Sequence, residues 1–440
     1  MSITINEFKL PISAPEAAKF LAQETDSFGI FFDVDRCYEL AGILQLENVQ
    51  IQKEFNELCC KRVSMDDKNA VMQALMDMGV SRSDFDPTHS GKLSMRATIK
   101  EQILQNPIYD EDIHKAITLH NKYTSNKRNK GAMTTFATLP NSVALSKRNR
   151  RMSVGRPTWD VLSTSRIAAR DPGIQGIPRT MGDIITEPKG YTLIRCDSGQ
   201  IEPRINFSYF VRDELIMNLI THYNDAYFGL MHYATAREED IRRWRDDWST
   251  FVPITITDEV KDMRQNIKRL TNAGSYGSSN LGDINPALAK AYDIRIVKHP
   301  KRLALERQVT QDVERGVDTF YGAFGTPVTP DATEKYAKGD SGWNGHLIRC
   351  GINNPVQTTA SELMMFSINE ARSILSRAKD SHVCYYKHDE ACFYVSDEDM
   401  SNGIGDELAD VTAYNVKGWI PIESDCVIGV KEPYYDTYIA

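Results

Sequence analysis

Two aspartates stand where β-prone segments end. Asp197 closes the apolar run GYTLIRCDSG, and Asp389 lies in the short connection between HVCYYK and ACFYVS. A carboxylate with buried flanks is costly unless it has a partner, and Mg²⁺ takes one or two carboxylates together with phosphate oxygens. Two acids from separate strands could clamp two Mg²⁺ ions about 4 Å apart for phosphoryl transfer. Two ordinary turn aspartates are the alternative reading of the same residues.

A second group of residues has the spacing of a phosphate-binding helix face. In DEVKDMRQNIKRLTNAGSYG, Arg264 and Lys268 are four residues apart, so they share one face of the predicted helix. Tyr276 lies eight residues beyond Lys268 and near that face if the helix continues. Two cations in a row suit a triphosphate, and a solvated basic face is the alternative.

The elements that must position these residues are mostly helical. Asp35 is the predicted N-cap of the helical run that follows it. The hairpin HVCYYK–ACFYVS and the segment GYTLIRCDSG are the predicted strands. Helical runs without regular βαβ alternation predict a helix-rich α+β fold. The predicted helical regions are residues 14–80, 205–250, 258–271 and 353–377.

Length and composition indicate a large protein without a membrane segment. The 440 residues are too many for one ordinary core and predict two or three subdomains. No apolar stretch approaches the roughly 18 residues that a transmembrane helix needs. The N-terminus lacks the basic start and apolar run of a signal peptide. We therefore expect a cytoplasmic protein, in the host cytoplasm if the gene is viral, with no membrane partner.

The charge is unevenly distributed along the chain. The net charge is -8, which argues mildly against a nucleic-acid partner. From Ile113 to Trp159, however, there is no Asp or Glu. A local basic stretch of this kind fits a polyanion as well as it fits a solvated face. Its cations are Lys115, Lys122, Lys127, Arg128, Lys130, Lys147, Arg148, Arg150, Arg151 and Arg156.

Several segments of the chain resemble the signature motifs of family A DNA polymerases, the bacterial polymerase I type. They follow one another in the order in which the motifs occur in that family. TSRIAARDPGIQGIP (164–178) is similar to the family segment that ends in Asp-Pro-Asn-Leu-Gln-Asn-Ile-Pro. DSGQIEPR (197–204) resembles motif A, RQNIKRLTNAGSYG (264–277) resembles motif B, and KHDEA (387–391) resembles motif C. RCGINNPVQTTASE (349–362) resembles the family helix whose Asn and Gln read the primer–template. Together the matches imply a template-directed DNA polymerase.

The resemblance implies a role for each matching residue at the reaction centre. Asp197 and Asp389 would bind two Mg²⁺ ions, and Glu390 would assist beside them. Arg264 and Lys268 would grip the phosphates of a dNTP, and Lys268 would protonate the leaving pyrophosphate.

Further roles concern the sugar, the base and the primer–template. Glu202 would crowd the 2′ position and exclude ribonucleotides, with Tyr276 as its partner. Gln200 and Asn272 would also lie at the nucleotide. Contacts that check the shape of a base pair carry no sequence information. The residues that would make them to primer–template DNA are Arg166, Gln175, Arg349, Asn353, Gln357 and His388.

The motifs depart from the family pattern at several positions. In motif A, Ser198 and Gly199 replace Tyr-Ser, and Pro203 replaces Leu. In motif B, Asn272 stands where the family has an aromatic that packs on the incoming nucleotide. This departure keeps a lesion-tolerant or repair polymerase open as an alternative. Residues 225–227, Asp-Ala-Tyr, stand near the place of a family Asp-x-His, and no role is carried over to them.

The resemblance also implies a right-hand architecture with an antiparallel palm sheet. The expected parts are an N-terminal segment and thumb (1–160), a first palm part (161–210), fingers (211–345) and a second palm part with the His-Asp-Glu hairpin (346–440). About 160 residues precede the first motif, too few for a thumb and an exonuclease domain together. We therefore expect a chain without a proofreading domain, typical of a phage or mobile element, with replication accessory proteins as further partners.

Two other functions are compatible with the same motifs. A single-subunit RNA polymerase-like enzyme would share motifs A to C, but Glu202 argues against it because a ribonucleotide needs room for its 2′-hydroxyl. An inactive polymerase-like protein that only binds DNA would not need Asp197, Asp389, Arg264 and Lys268 together.

Overall fold

The structure, a computed structural model, describes residues 2–87, 93–95, 97–276, 285–332 and 342–429. Within these ranges the chain is a helix-rich α+β protein, as the sequence predicts. No helix in the described ranges is long and apolar enough to cross a membrane.

The helices are numbered in chain order. They are α1 (Ala14–Ser27), α2 (Val34–Leu58), α3 (Lys68–Asp77), α4 (Ala97–Gln105), α5 (Glu111–Ala137), α6 (Ile201–Ile205), α7 (Glu214–Tyr223), α8 (Ala226–Thr235), α9 (Glu238–Asp246), α10 (Asp258–Tyr276), α11 (Pro286–Tyr292), α12 (Pro300–Glu314), α13 (Trp343–Leu375), α14 (Asp397–Ser401) and α15 (Ile404–Ala409). Single π-helical turns span Asn206–Phe210 and Asp293–Val297.

The strands are short. They are β1 (Ile3–Ile5), β2 (Ile30–Asp33), β3 (Asp86–Pro87), β4 (Leu93–Ser94), β5 (Asn141–Leu145), β6 (Arg151–Gly155), β7 (Thr158–Val161), β8 (Ile167–Arg170), β9 (Tyr191–Ser198), β10 (Phe320–Tyr321), β11 (Pro327–Val328), β12 (His382–Lys387), β13 (Glu390–Ser396), β14 (Tyr414–Val416) and β15 (Ser424–Ile428).

The chain divides into two compact units. The first comprises Met1–Ile30, Arg156–Gly176 and Glu187–Lys431, and the second is chiefly Phe31–Gly155 and Ile177–Thr186. Each unit contains an apolar core of its own. Every residue of the candidate site described below belongs to the first unit.

The first unit is built on a four-stranded antiparallel sheet with the order β12–β13–β9–β15. β9 is an inner strand, and its residues from Leu193 to Cys196 are buried on both faces. This burial explains why the strand is mostly apolar rather than alternating, with Arg195 as the charged residue among these four. β9 ends at Ser198, one residue after the predicted end, and the predicted hairpin is β12 and β13.

The second unit is dominated by the long helices α2 and α5, which pack against each other. Its core includes Phe55, Leu75 and Ile117. Asp33, not Asp35, is the N-cap of α2, because the Asp33 side chain accepts a 2.9 Å hydrogen bond from Arg36 N. The prediction placed this cap two residues late.

Two helices at the candidate site are longer than predicted. α10 continues five residues beyond 271, to Tyr276. α13 begins at Trp343, ten residues before the predicted start, and includes Pro355. Both extensions keep motif residues on a single helix face instead of placing them in loops.

Candidate active site

The hairpin turn between β12 and β13 is hydrogen-bonded to the end of β9. The turn consists of His388 and Asp389. His388 has a φ of 57°, the left-handed conformation that tight hairpin turns favour. The backbone oxygen of Asp389 accepts a 2.9 Å hydrogen bond from Ser198 N. The structure therefore places the turn that carries Asp389 beside the strand that carries Asp197.

A row of carboxylates crosses the sheet at the same place. Asp197 in β9 lies directly opposite Glu390 in β13 and, on its other side, directly opposite Asp425 in β15. Directly opposite residues on antiparallel strands project from the same face of a sheet. We call Glu390, Asp197 and Asp425 the acidic row. Sequence reasoning missed Asp425 because nothing in the segment ESDCVI indicates that its strand pairs with β9.

The acids near β9 fit Mg²⁺ that is shared with a phosphate substrate. Among the described residues, no group of three or more His, Cys, Asp or Glu could hold a metal ion. Phosphoryl-transfer sites need fewer protein ligands, because substrate phosphates supply further oxygens to Mg²⁺. Asp197 and Asp389 fit that smaller ligand set, and the hydroxyl of Tyr385 holds the neighbouring Glu390 by donating to its Oε1.

The two cations of motif B are held by aromatic rings. Arg264 and Lys268 are both half-buried on α10. The Arg264 guanidinium lies 5.4 Å from the ring centre of Tyr227 and 5.3 Å from that of Phe228. Lys268 Nζ lies 5.9 Å from the centre of the same Tyr227 ring. Contacts of this kind keep both positive charges on one side of the helix.

Asp225 joins motif A to motif B. Its Oδ2 accepts hydrogen bonds from Arg264 Nη2 at 2.6 Å and from Gln200 Nε2 at 2.8 Å. Its Oδ1 caps α8 by accepting a 2.8 Å bond from Phe228 N. Burial raises the pKa of Asp225, but these hydrogen bonds outweigh it, so the pKa lies below its ordinary value. The carboxylate is therefore ionised and fixes the Arg264 guanidinium.

The structure describes the backbone but not the side chains of Asn272 and Tyr276. Both positions lie on α10, which continues through them. Arg264, Lys268, Asn272 and Tyr276 follow one another at four-residue spacing, so the four backbone positions lie along one stripe of the helix. The expected roles of the Asn272 and Tyr276 side chains fall outside the described part of the chain.

Glu202 and Arg166 form an ion pair, although the sequence analysis assigned them to different ligands. Arg166 Nη2 lies 2.6 Å from Glu202 Oε1, and both side chains are about a quarter exposed. Glu202 also lines a cavity of about 40 Å³ together with Asn353 and Gln357. The structure therefore brings the predicted sugar-contacting acid close to two of the predicted primer–template residues.

His388 and Arg166 line a second, smaller cavity of about 20 Å³ with Tyr386. The pKa of His388 is lowered, by loss of water around the ring and by the positive charges of Arg166 and Lys387. A neutral imidazole at pH 7 can donate or accept a hydrogen bond.

The other predicted primer–template residues occupy a helix face and a turn. Arg349, Asn353 and Gln357 follow at four-residue spacing along α13, with Arg349 exposed and the other two half-buried. Gln175 instead supports its own segment, because its Oε1 accepts a 3.0 Å hydrogen bond from Ala169 N. The structure thus shows a scaffold contact for Gln175 and a continuous polar stripe for the three α13 residues.

Comparison of the sequence with known proteins gives no match. No protein-family model matches the chain, and no curated protein matches it.

Comparison of the fold gives a clear match. A solved structure of the POL domain of Pol1 from M. smegmatis, in complex with DNA primer-template and dNTP, is similar with a TM-score of 0.70. The similarity covers 95% of this chain and 70% of that chain, at 17% sequence identity. The chain therefore has the fold of a bacterial Pol1 polymerase domain. The polymerase fold implied by the sequence motifs is confirmed, and a phage or mobile-element source stays a prediction.

Proposed function

We propose that this protein is a DNA-directed DNA polymerase, which extends a primer 3′ end with dNTPs on a DNA template. The observation that carries the proposal is the placement of Asp197, Asp389 and Glu390 at one end of β9, within a fold shared with a Pol1 polymerase domain. The M. smegmatis structure holds primer-template and dNTP, which supports the same partners here. No proofreading step is assigned to this chain.

In this proposal the acids hold two Mg²⁺ ions beside the primer end. Asp197 and Asp389 are the protein ligands, and Glu390, held by Tyr385, is the assisting carboxylate. Bound Mg²⁺ supplies the positive charge that activates the primer 3′-hydroxyl and offsets charge on the phosphates. The rigid pairing of β9 with β13 fixes the acids before substrate arrives.

The cations of α10 act on the triphosphate. The primer 3′-hydroxyl gives its proton to solvent water, and its oxygen forms a bond to the α-phosphorus while the bond from that phosphorus to the oxygen of pyrophosphate breaks. Arg264 binds the phosphates and stabilises the charge that develops on the leaving group. Lys268 donates a proton to the leaving oxygen. Asp225 orients Arg264 through the 2.6 Å hydrogen bond.

Selection of the sugar and of the base pair uses the remaining residues. Glu202, with Tyr276 and Asn272, lies at the nucleotide sugar and base, and Gln200 supports that site through Asp225. Contacts to the primer–template come from residues at both small cavities, on α13 and in the turn after β8, where the Gln175 side chain also accepts a hydrogen bond from Ala169 N. They are Arg166, Gln175, Arg349, Asn353, Gln357 and His388.

The subdomains of a polymerase hand follow from the same proposal. The second unit, which contains α2 and α5, is the thumb that holds duplex DNA. The sheet β12–β13–β9–β15 is the palm. Helices α7 to α12 are the fingers, and closure of α10 on a correctly paired nucleotide would supply induced-fit selectivity.

Template-specified incorporation tests the proposal. Four primer–templates that differ only in the first template base are each offered one dNTP at a time with Mg²⁺. We expect each template to select its complementary dNTP, and Asp197→Asn to reduce incorporation by at least about a hundredfold. Asp258→Asn is the matched control, because the Asp258 side chain is 97% exposed at the start of α10.

The other outcomes discriminate the alternatives. Addition of nucleotides without regard to the template base would contradict template direction. Preferred use of ribonucleotides would favour the RNA polymerase-like alternative. Binding of the primer–template without any incorporation would favour the DNA-binding alternative.

A further inference from the structure

A buried arginine lies beneath the acidic row. Arg195 is two residues before Asp197 in β9, so the two side chains project from the same face of the sheet. Arg195 is only 4% exposed, and its direct cross-strand neighbours are Cys392 and Val427. Arg195 therefore occupies the next position of β9 on the face of the acidic row, where its side chain is buried.

Glu390 lies diagonally across the sheet from Arg195. Arg195 is paired with Cys392, two residues after Glu390 in β13, so Arg195 and Glu390 project from the same face of the sheet. Diagonal neighbours of this kind have Cα atoms about 7–8 Å apart, a distance that a long side chain can span. Tyr385 donates its hydroxyl to the Glu390 carboxylate. Arg195 and Tyr385 thus both act on Glu390.

The carboxylates of the acidic row repel one another whenever no cation is bound to them. Like charges directly opposite each other on paired strands destabilise a sheet. Glu390, Asp197 and Asp425 put three such charges on three adjacent strands. The permanently charged guanidinium of Arg195, which is buried two residues before Asp197 on the same face, is placed to offset this repulsion.

We propose that Arg195 is an internal counter-cation, a positioning residue that holds the acidic row in place between substrate-binding events. It acts through Glu390, which in turn faces Asp197. The inference rests on the proposed function only in taking Asp197 as a ligand of Mg²⁺. Arg195 and Mg²⁺ then stabilise the same carboxylates, so removal of one increases the effect of the other.

Thermal unfolding with and without Mg²⁺ tests the inference without using catalysis. The melting temperature of wild type, Arg195→Met and Arg195→Lys is measured over a range of MgCl₂ concentrations at constant ionic strength. Arg195→Met should have a lower melting temperature than wild type, and Mg²⁺ should raise that temperature by more than it does for wild type. The apparent Mg²⁺ affinity should be on the order of tenfold tighter, because a nearby cation no longer repels the ion. Arg195→Lys keeps the charge and should respond to Mg²⁺ as wild type does.

Arg295→Met is the matched control in the same unit. Arg295 is largely buried, and it is held by the backbone oxygen of Tyr233 at 2.9 Å and by Glu238 at 3.1 Å, away from the acidic row. Its substitution should lower the melting temperature and leave the Mg²⁺ response unchanged. An Arg195→Met protein that behaves like this control would overturn the inference and leave the proposed function intact.

Two further results keep the tests separate. If Arg195→Met does not fold, the double variant Arg195→Met/Glu390→Gln should fold again, because the negative charge of Glu390 is removed as well. A double variant that is no more stable than the single one would overturn the inference. If Mg²⁺ raises the melting temperature of Asp197→Asn as much as that of wild type, or raises neither, Arg195 and Mg²⁺ do not act on the same carboxylates and the inference is overturned. The proposed function is judged separately by nucleotide incorporation, in which substrate phosphates also bind the ion.

Discussion

Asp225 is the residue through which two distant motifs meet. Motif A contributes Gln200 and motif B contributes Arg264, and one carboxylate oxygen accepts hydrogen bonds from both. The Asp225 side chain also caps α8. An arginine that is already oriented loses less conformational freedom when it binds phosphate, so under the proposed function this contact would favour nucleotide binding.

The first prediction concerns this contact. Asp225→Asn keeps an oxygen that can cap α8 but removes the charge that fixes Arg264. We expect the KM for dNTP to rise by about 5- to 10-fold with little change in kcat, because a partly buried ion pair of this kind is worth on the order of 1 kcal/mol. Steady-state kinetics on a primed template would measure it. A lower KM would instead mean that Asp225 competes with the triphosphate for Arg264.

The second prediction concerns the ion pair of Glu202 and Arg166. If Glu202 excludes the 2′-hydroxyl, Glu202→Ala should lower the preference for dNTP over rNTP by about 10- to 100-fold. Arg166→Gln is the informative companion, because it breaks the same ion pair while leaving Glu202 in place. It should weaken primer–template binding and keep the sugar preference. Equal loss of sugar preference in both variants would show that the pair, and not the Glu202 carboxylate itself, excludes ribonucleotides.

The candidate site residues could be proposed from the sequence, and their catalytic roles stay predictions, whereas the contacts that surround them could not be predicted. Asp197 and Asp389 stand out as acids at the ends of apolar strands, and Arg264 and Lys268 as cations at helical spacing. The roles proposed for Asp225 and Arg195 depend on partners far along the chain. In the sequence, Arg195 is simply a charge interrupting an apolar run.

At the scale of elements, the strands with long apolar patterns could be predicted, whereas the pairing of short strands could not. β9 and the hairpin β12–β13 follow from their apolar runs. β2 was missed because IFFD is only four residues long and lies between two helices, and its neighbour β6 is more than a hundred residues further on. Its register is set by pairing that local sequence does not encode.

A third prediction concerns the contact between α14 and the segment that precedes β12. Asp399 is buried and accepts hydrogen bonds from Lys379 N, Asp380 N and the hydroxyls of Ser381 and Ser396. Burial acts to raise its pKa, but these bonds lower the pKa to about 2. The ordinary pKa is 3.8, so the carboxylate contributes stability that is complete above about pH 4 and is lost as the pH falls towards 2.

The measurement compares melting temperatures at pH 6 and pH 3. Asp399→Asn should be less stable than wild type at pH 6 by an amount equivalent to about 2 kcal/mol, and the difference should shrink at pH 3. Asp397→Asn is the control, since Asp397 is exposed in the first turn of the same helix. A difference for Asp399→Asn that does not change with pH would contradict the assignment of its charge.

At the scale of the whole molecule, the basic stretch is partly neutralised by the protein itself. Lys127 pairs with Asp66 at 2.7 Å, and Arg151 pairs with Asp35 at 2.5 Å. Arg150 pairs with the helix-capping Asp33 at 3.3 Å. The acid-free stretch of the sequence therefore overstates the positive charge that this unit has available for binding DNA. A run of charges predicts a polyanion site only after its internal partners are known.

The fourth prediction follows from the cations that remain exposed. Arg148 is exposed between β5 and β6 in the second unit. If this unit holds duplex DNA, Arg148→Gln should weaken binding and reduce the slope of log K against log salt by about 1. Arg237→Gln is the control, because Arg237 is already paired with Asp240 at 2.8 Å in the first unit. An unchanged slope for Arg148→Gln would remove this residue from the DNA interface.

The central claim, that the acids at the end of β9 make this fold a polymerase, is tested most directly by primer extension. A labelled primer on a DNA template is incubated with Mg²⁺ and dNTPs, using wild type and Asp389→Ala, and binding of the same DNA is measured for both proteins. The account predicts extension by wild type, at least a hundredfold or so less by the variant, and similar DNA binding by both. Extension that survives the loss of Asp389, or bound DNA that wild type never extends, would contradict it.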